Sequence, residues 1–357
     1  MNTLIKSLVP FTDDYLPPSI IDREIERVEL KRFLLPIAES QMQLYNLLIT
    51  GGVGVGKTLL TRFVVRDLPS NSYYMRMTEG DNTTTKIIFK LISILGVPIS
   101  AYLPSNIALM KLTEYLDEKG KKNKTATLLV LDDLDKVPID AIRLILHEIP
   151  RSTNWCNFLF ISRIPSVLEN LPTDTKSTLK CRELPLIPYS KEMIFKIVKQ
   201  RAEMALTNPD TIDSEVLEKI SNHASLSGSA REAIDLLKTA CIIAENFGDT
   251  QVTKTYFDAA IEEIERKSID ETITTLPLYH KLLIECCKKY PQTYEQVYRV
   301  WIKKLKEKGL NTLSIYRFRD FVSDLKKLDL IRPDIKGHGR GKGFSYYLTL
   351  SPHIPER

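Results

Sequence analysis

Residues 47–58 have the sequence Leu-Leu-Ile-Thr-Gly-Gly-Val-Gly-Val-Gly-Lys-Thr, an apolar run followed by a glycine-rich loop. The loop has the G-x-x-x-x-G-K-[ST] spacing of a phosphate-binding loop, and it lies between a predicted strand and a predicted helix over 57–67. Glycines let the backbone turn its N–H groups inward around phosphates, and the following helix directs its positive end at the same anion. The stretch therefore predicts a nucleoside triphosphate site on an α/β sheet.

This phosphate-binding loop, residues 51–58, supplies the first candidate site residues. Lys57 is expected to reach the β- and γ-phosphates, and the Thr58 hydroxyl is expected to bind Mg²⁺. The backbone contacts of the nucleotide are expected at Gly51, Gly54 and Gly56. The predicted cofactors are therefore ATP or ADP together with Mg²⁺.

A second motif supplies the carboxylates. Residues 126–135, Ala-Thr-Leu-Leu-Val-Leu-Asp-Asp-Leu-Asp, begin with the unbroken apolar run of a parallel strand buried on both faces. Asp132 stands at its carboxyl end, where such sheets bind ligands, and carboxylate oxygens suit Mg²⁺. Asp133 is a candidate to orient the attacking water. The alternative is an acidic strand end that only caps the next helix.

Composition limits the class of protein. The chain has 357 residues, of which 43% are hydrophobic and 27% charged, as in a globular protein of two or three domains. Its five cysteines include no C-x-x-C pair, which favours a reducing compartment and no structural zinc. Without an apolar stretch of about 18 residues or a leader, we predict a cytoplasmic protein that spans no membrane.

The predicted elements change character along the chain. Strands and helices alternate up to about residue 187, which is typical of a parallel sheet covered by helices. The pattern is helical from Ser190 to about Arg266, and the polar stretch 267–275 predicts a linker. Three helical patterns and a pair of short strands follow over 277–350. The predicted strands of the sheet are 46–50, 72–77, 127–132 and 157–162.

Charge is distributed unevenly. From Pro277 onward there are 17 Lys and Arg against 8 Asp and Glu, a balance of +9, whereas the preceding residues carry a balance of −4. A basic segment after a nearly neutral one suggests a polyanionic partner, most simply nucleic acid.

Three further segments resemble known motifs when taken with the phosphate-binding loop. Gly228-Ser229-Ala230-Arg231 is similar to the sensor-2 motif of AAA+ ATPases, which implies that Arg231 contacts the nucleotide. The strand Phe158-Leu159-Phe160-Ile161-Ser162 stands where sensor 1 belongs. The segment from Tyr15 to Pro18, with Asp22-Arg23-Glu24, looks like an adenine-side element and makes Tyr15 a cofactor-binding candidate.

The order of these motifs resembles the archaeal origin-recognition and cell-division-control initiator family over nearly the whole chain. The resemblance implies an AAA+ parallel-sheet domain over 1–188, an all-α lid domain over 189–266 and a C-terminal winged-helix domain over 277–357. It also implies ATP-controlled binding to replication-origin duplex DNA, with other initiator subunits and the replicative helicase as partners. The expected location is the cytoplasm, in association with the nucleoid.

The C-terminal segment also suggests DNA binding from its own residues. Over 313–328 an apolar face recurs every three or four residues, formed by Ile315, Phe318, Val322, Leu325 and Leu328. The opposite face begins with Ser314, Tyr316 and Arg317, and the first turns of a recognition helix reach base edges and phosphates. The glycine-rich loop 336–343, here called the wing, adds Lys336, Arg340 and Lys342. A protein-binding winged helix is the alternative.

Departures from the family pattern bear on hydrolysis. Asp133 replaces the usual Glu, and Arg163 stands where sensor 1 usually ends in Asn. Asp174 stands where a basic residue is usual, although Lys176 remains nearby. These changes favour a nucleotide-dependent switch with slow turnover, in which Asp133 and Arg163 are the catalytic candidates.

Two other functions remain open at this stage. One is a transcriptional regulator with the same DNA-binding module, and the other is an AAA+ remodelling or loader ATPase without specific DNA recognition. A second DNA contact within 81–100 is also conceivable, but Thr83, Thr84 and Thr85 suit helix capping equally well.

Overall fold

The computed structural model describes residues 3–39, 45–67, 71–98, 103–337, 344–351 and 354. The chain divides into two compact units, Met1–Phe257 and Asp258–Arg357.

The first unit is built on a parallel five-stranded sheet with the order β2-β3-β4-β1-β5. Strands β3 and β4 are buried along their whole length, as their unbroken apolar sequences predict. Both strands lie in the interior of the sheet, with a neighbouring strand on each side. On β4, the aromatic rings of Phe158 and Phe160 stack with their centroids 5.4 Å apart. The strands are β1 Asn46–Thr50, β2 Asn71–Arg76, β3 Thr127–Asp132, β4 Cys156–Ile161 and β5 Cys181–Pro185.

Helices cover the sheet, and a hydrophobic cluster lies on each of its faces. The predicted alternation of strands and helices is confirmed, but sequence patterns missed strand β5. That strand lies at the sheet edge, and of its residues only Leu184 is buried, so it lacks the apolar run of the central strands. The helices are α1 Glu24–Ala38, α2 Lys57–Arg66, α3 Thr84–Leu95, α4 Ser105–Asn123, α5 Ile139–Ser152 and α6 Thr173–Leu179.

Helical structure follows the sheet, as predicted. The helices α7 Lys191–Ala205, α8 Ser214–Ser225 and α9 Ala230–Asn246 pack on one another and are here called the lid helices. Each begins at a side-chain cap: Ser190, Asp213 and Ser229 accept hydrogen bonds from main-chain N–H groups of the first turn.

The stretch 267–275, which the sequence predicts as a linker, is helical. These residues are the C-terminal part of a single helix, α10 Lys254–Thr275. The stretch contains no glycine or proline that would end a helix before Pro277. Ile269 and Ile273, four residues apart, pack against the core of the second unit, so they form one helical face.

The second unit has the helix and strand order expected of a winged helix. Its core is aromatic: Trp301 is fully buried and contacts the rings of Tyr279, Tyr298, Phe318 and Phe321. A three-stranded antiparallel sheet with the order β6-β8-β7 completes it. The elements are α11 Leu278–Ile284, β6 Gln292–Thr293, α12 Tyr294–Glu307, α13 Ile315–Lys327, β7 Ile331–Gly337 and β8 Phe344–Leu350.

Helix α13 has the predicted apolar face, with one correction. Phe318, Val322 and Leu325 are buried. Leu328, expected on the same face, is 46% exposed. It lies just beyond the last helical residue as the C-cap, where the periodicity of the helix no longer fixes the direction of the side chain.

Candidate functional site

The phosphate-binding loop connects β1 to α2 at the carboxyl end of the sheet. Gly54 and Gly56 have positive φ angles of 75° and 88°, which suit glycine. A Cβ on Gly54 would lie 2.0 Å from Ser229 Oγ, and one on Gly56 would lie 2.6 Å from Tyr189 Oη. The loop therefore approaches the start of α9 and the residues before α7 too closely for a side chain at either position.

Lys57 is folded back onto the loop. Its Nζ donates hydrogen bonds of 2.7 Å to the carbonyl oxygens of both Gly51 and Gly52. Burial lowers the pKa of Lys57, and Asp132, Asp135 and Asp133 partly offset this effect by attracting its positive charge. The ammonium thus stands in the loop beside a set of carboxylates, ready to exchange carbonyl acceptors for phosphate oxygens.

Thr58 and Asp132, the two predicted Mg²⁺ ligands, lie within hydrogen-bond distance of each other. The Thr58 hydroxyl donates a hydrogen bond of 2.8 Å to Asp132 Oδ2. Tyr74, on the neighbouring strand β2, donates its hydroxyl to the same carboxylate oxygen. Burial and this bond to Asp132 raise the pKa of Tyr74 well above its usual range, so the phenol stays a donor. The role of Tyr74 was not predicted from the sequence.

These groups fit a bound Mg²⁺–nucleotide. A hydroxyl and a buried carboxylate within hydrogen-bond distance form the oxygen donor set that Mg²⁺ prefers. The adjoining glycine loop and Lys57 offer N–H donors and one cation to phosphates. Thr58 and Asp132 would hold the ion, whose chemical contribution is to neutralise phosphate charge.

Asp133 is bound by two cations. Arg76 Nε and Lys136 Nζ donate hydrogen bonds of 3.0 Å and 2.8 Å to Asp133 Oδ2. Burial alone would raise the pKa of Asp133, but the bonds from Lys136 and Arg76 outweigh it and lower the pKa. The carboxylate proposed to orient water is therefore ionised and weakly basic.

Arg163 lies in the same cleft but forms a hydrogen-bonded ion pair with Asp135. Its Nε lies 2.7 Å from Asp135 Oδ2, and its main-chain N–H donates to Oδ1 at 2.9 Å. The Asp135 side chain is only 1% exposed. Sequence reasoning missed Asp135, although it closes the quoted stretch 126–135. Asp135 and Arg163 are 28 residues apart in sequence. They meet because they follow β3 and β4, which are paired in the sheet, and this pairing cannot be read from the sequence.

The first turn of lid helix α9 contacts the phosphate-binding loop. The main-chain N–H of Ala230 donates to the Gly54 carbonyl at 3.1 Å. Its neighbour Arg231, the predicted sensor-2 residue, lines the cleft and donates from Nε to Asp13 Oδ1 at 3.0 Å. Tyr15 also lines the cleft, and its hydroxyl donates to Met204 Sδ at 3.3 Å.

Arg23 is a structural residue that the sequence did not assign. It is 3% exposed, and its Nη2 donates to the carbonyl oxygens of Val55 and Ile187 at 3.1 Å and 2.7 Å. Its guanidinium carbon lies 4.2 Å from the centroid of the Tyr189 ring. Arg23 thereby fastens the N-terminal segment to the phosphate-binding loop and to the chain that enters α7.

The predicted DNA-contacting residues of α13 lie at its exposed N-terminus. Ser314 is the N-cap and accepts a hydrogen bond from the Arg317 main-chain N–H at 3.5 Å. Tyr316 is 74% exposed. The exposed Arg317 guanidinium lies 3.7 Å from Asp320 Oδ2. Arg340 and Lys342 lie outside the described residues, as does the side chain of Lys336.

Within residues 81–100, the structure supports helix capping at one of the three threonines. Thr83 is the N-cap of α3, and its side chain accepts a hydrogen bond from the Lys86 main-chain N–H. Separately, among the described residues no helix has both the length and the apolar character needed to cross a bilayer.

Two family models match separate stretches of the chain. Residues 41–163 match a model described as an AAA domain. Residues 195–262 match the Cdc6 AAA+ ATPase-type lid domain.

The chain is also similar to individual proteins over nearly its whole length. It is 28% identical to the ORC1-type DNA replication protein 1 of Sulfolobus acidocaldarius, covering 96% of this chain and 89% of that protein. The structure of the Aeropyrum pernix ORC1 protein in complex with DNA matches it with a TM-score of 0.74 and 24% identity, covering 98% of this chain and 94% of that one. The Aeropyrum pernix ORC2 protein in its ADPNP-ADP complexes has a TM-score of 0.61 at 21% identity, covering 99% and 95%.

Proposed function

Because this chain belongs to the archaeal origin-recognition and cell-division-control initiator family, we propose that it is an ATP-binding DNA replication initiator. In this role the first unit binds ATP or ADP with Mg²⁺, and the second unit binds origin duplex DNA. The observation that carries the proposal is the joint presence of a complete phosphate site and an exposed α13 N-terminus with polar and cationic side chains.

The bound nucleotide controls the protein mainly through its binding, and rapid hydrolysis is not required. Thr58, Asp132 and Lys57 retain everything needed to hold phosphates and a metal ion. The two catalytic candidates, in contrast, are engaged elsewhere: Asp133 by two cations and Arg163 by Asp135. A carboxylate whose pKa is lowered is a weaker base toward water. Slow hydrolysis with tight binding is the expected outcome.

Duplex DNA is bound by the first turns of α13 and by the wing. Arg317 has the planar donor fork that pairs with guanine O6 and N7, while the Ser314 hydroxyl and Tyr316 suit phosphates. Lys336, Arg340 and Lys342 add positive charge for backbone or minor-groove contacts. Other initiator subunits and the replicative helicase are the proposed protein partners. The protein is proposed to act in the cytoplasm, in association with the nucleoid.

The test is to map the chromosomal binding sites of the full chain and of Arg317→Ala in cells. An initiator occupies one or a few sites close to replication origins, and Arg317→Ala loses them. Occupancy of many promoters would instead support a transcriptional regulator. An absence of site-specific DNA binding, combined with rapid ATP turnover, would support a remodelling ATPase.

A further inference from the structure

Arg201, on lid helix α7, is a buried cation with unfilled hydrogen-bonding capacity. It is only 4% exposed, yet its Nε and Nη1 have no hydrogen-bond partner among the described residues. Its recorded neighbour is an aromatic ring: the guanidinium carbon lies 4.8 Å from the centroid of Tyr15. Burial lowers the pKa of Arg201, because removing a guanidinium from water disfavours its charged form.

Such an arrangement destabilises the protein unless a ligand completes it. Leaving a buried donor unsatisfied costs about 1–3 kcal/mol, and more when the group is charged. Buried polar groups are almost always hydrogen-bonded, so an exception calls for a functional explanation. Arg201 also lines the nucleotide cleft, so a ligand that fills the cleft comes next to its side chain.

The surroundings of Arg201 identify the part of the ligand that it meets. Lys57 and the glycine loop are expected to bind the phosphate oxygens, whereas the lid helix α7 and the N-terminal segment contribute several apolar or aromatic residues to the cleft, together with the polar Gln200 and Ser19. One helical turn earlier on α7 lies Ile197, and the N-terminal segment contributes Tyr15, Ile20 and Ile21. Apolar surfaces of this kind suit the faces of a flat heterocycle, and a planar donor fork suits the nitrogen acceptors at its edge.

We infer that Arg201 is a specificity-determining residue that donates a hydrogen bond to a ring nitrogen of the purine base, with its guanidinium held in place by Tyr15. This inference rests on the proposed nucleotide binding and deepens it. Arg201 touches the base and takes no part in phosphate chemistry. The ring nitrogen would give one of the two unpartnered donors of Arg201 an acceptor, so the bound base relieves part of the cost of burying them.

The first experiment separates base recognition from phosphate binding. ADP and inorganic pyrophosphate are titrated by calorimetry into the full chain and into Arg201→Met, which has a similar length but no donors. ADP affinity is expected to fall roughly 10- to 100-fold, as for loss of a hydrogen bond from a charged donor, while pyrophosphate affinity stays unchanged. Lys199→Met removes an exposed cation two residues away on the same helix and should change neither.

Several outcomes would overturn the inference without touching the proposed function. Equal weakening of ADP and pyrophosphate would make Arg201 a phosphate contact or a structural residue. Unchanged ADP affinity would remove any role in binding. If the wild-type chain bound neither ligand, the nucleotide site itself would be refuted, and Lys57→Ala, which should lose both, identifies that site independently.

Ring-nitrogen analogues give a second readout that does not depend on one variant. The wild-type chain is titrated with 1-deaza-, 3-deaza- and 7-deaza-ADP, each of which lacks one acceptor. At least one should bind roughly 10-fold more weakly than ADP. Arg201→Met, or Arg201→Leu if the former fails to fold, removes every donor and should lose that discrimination. Discrimination that survives both substitutions would assign the acceptor to another donor and overturn the inference.

The stability of the nucleotide-free protein provides the last check. Removing an uncompensated buried charge should leave the thermal midpoint of Arg201→Met unchanged or raised, although ADP binding is weakened. A lowered midpoint accompanied by unchanged discrimination among the analogues would show that Arg201 only anchors Tyr15.

Discussion

Arg76, at the end of β2, donates a 3.0 Å hydrogen bond to Asp133, the residue that follows β3. The two strands are neighbours in the sheet, with Arg76 in register with Asp132. The cation that lowers the pKa of the water-orienting candidate therefore comes from an adjacent strand end. Lys136, one turn onward from Asp133, supplies the second cation.

This relationship predicts that Arg76 restrains hydrolysis. Wild-type turnover should lie below the ordinary range of about 1–10³ s⁻¹. Arg76→Gln removes one of the two cations, raises the basicity of Asp133 and should increase the turnover number about two- to tenfold at saturating ATP. Arg76→Lys keeps the charge and should stay close to wild type. A decrease in turnover for Arg76→Gln would show that Arg76 assists the reaction instead.

Lys57→Ala tests the phosphate-binding loop. The substitution removes the ammonium that bonds the Gly51 and Gly52 carbonyls and faces the phosphates. ADP and ATP affinity should fall by roughly 100-fold or more, because more than one hydrogen bond from a charged donor is lost. The circular dichroism spectrum should stay that of a folded protein. Equal affinity in mutant and wild type, measured by calorimetry, would refute the assignment.

The phosphate site was predictable because its determinants are local. The glycine spacing, Lys57 and Thr58 lie within one loop, and Asp132 ends an apolar run that only a central strand explains. The partners of these residues were not predictable. Asp135 meets Arg163, and Tyr74 meets Asp132, through strand neighbours that no periodicity reveals.

Arg201 left a signal in the sequence that was not used. It follows Ile197 by four residues and Val198 by three, so it occupies the apolar face of an amphipathic helix. A cation on such a face is costly unless it is paired, which makes it a functional candidate. The helical structure of 267–275 was missed because the stretch is mostly polar, although Ile269 and Ile273 have helical spacing.

The ion pair between the buried Asp135 carboxylate and the half-exposed Arg163 guanidinium predicts that acid lowers the stability of the fold. Burial tends to raise the pKa of Asp135, but the main-chain N–H and guanidinium of Arg163 outweigh it, so the folded-state pKa is lowered. The ionised carboxylate then stabilises the fold above the unfolded-state pKa of about 3.9, and this contribution is lost as the pH falls through the folded-state pKa.

Asp135→Asn should therefore lower the unfolding free energy at pH 7 by about 1–3 kcal/mol, the value of hydrogen bonds to a charged group. Its loss of stability between pH 5 and pH 3 should be smaller than that of wild type. Denaturant titrations at both pH values measure the difference. Parallel acid dependence in the two proteins would show that another carboxylate is responsible.

The recognition helix and the wing should contribute differently to DNA binding. Arg317→Ala should cost about 1–3 kcal/mol at a preferred site and hardly change non-specific binding, if the guanidinium pairs with a guanine. Arg340→Ala and Lys342→Ala should weaken binding to all sequences, and each lost phosphate contact should reduce the salt slope by about 0.9. The matched control is Arg299→Ala, which removes a cation from α12 that is 82% exposed and pairs with Glu295.

These predictions are tested on the full chain by titrating specific and non-specific duplexes over a range of salt concentrations. The contact between Arg317 Nη1 and Asp320 Oδ2, at 3.7 Å, leads to a further expectation. Asp320→Asn removes the negative charge beside Arg317 and beside any nearby phosphate, so it should strengthen non-specific DNA binding. The ratio of specific to non-specific affinity should therefore decrease. If the wild-type chain shows no salt-dependent affinity for duplex DNA, the second unit binds protein, and the initiator proposal loses its physical basis.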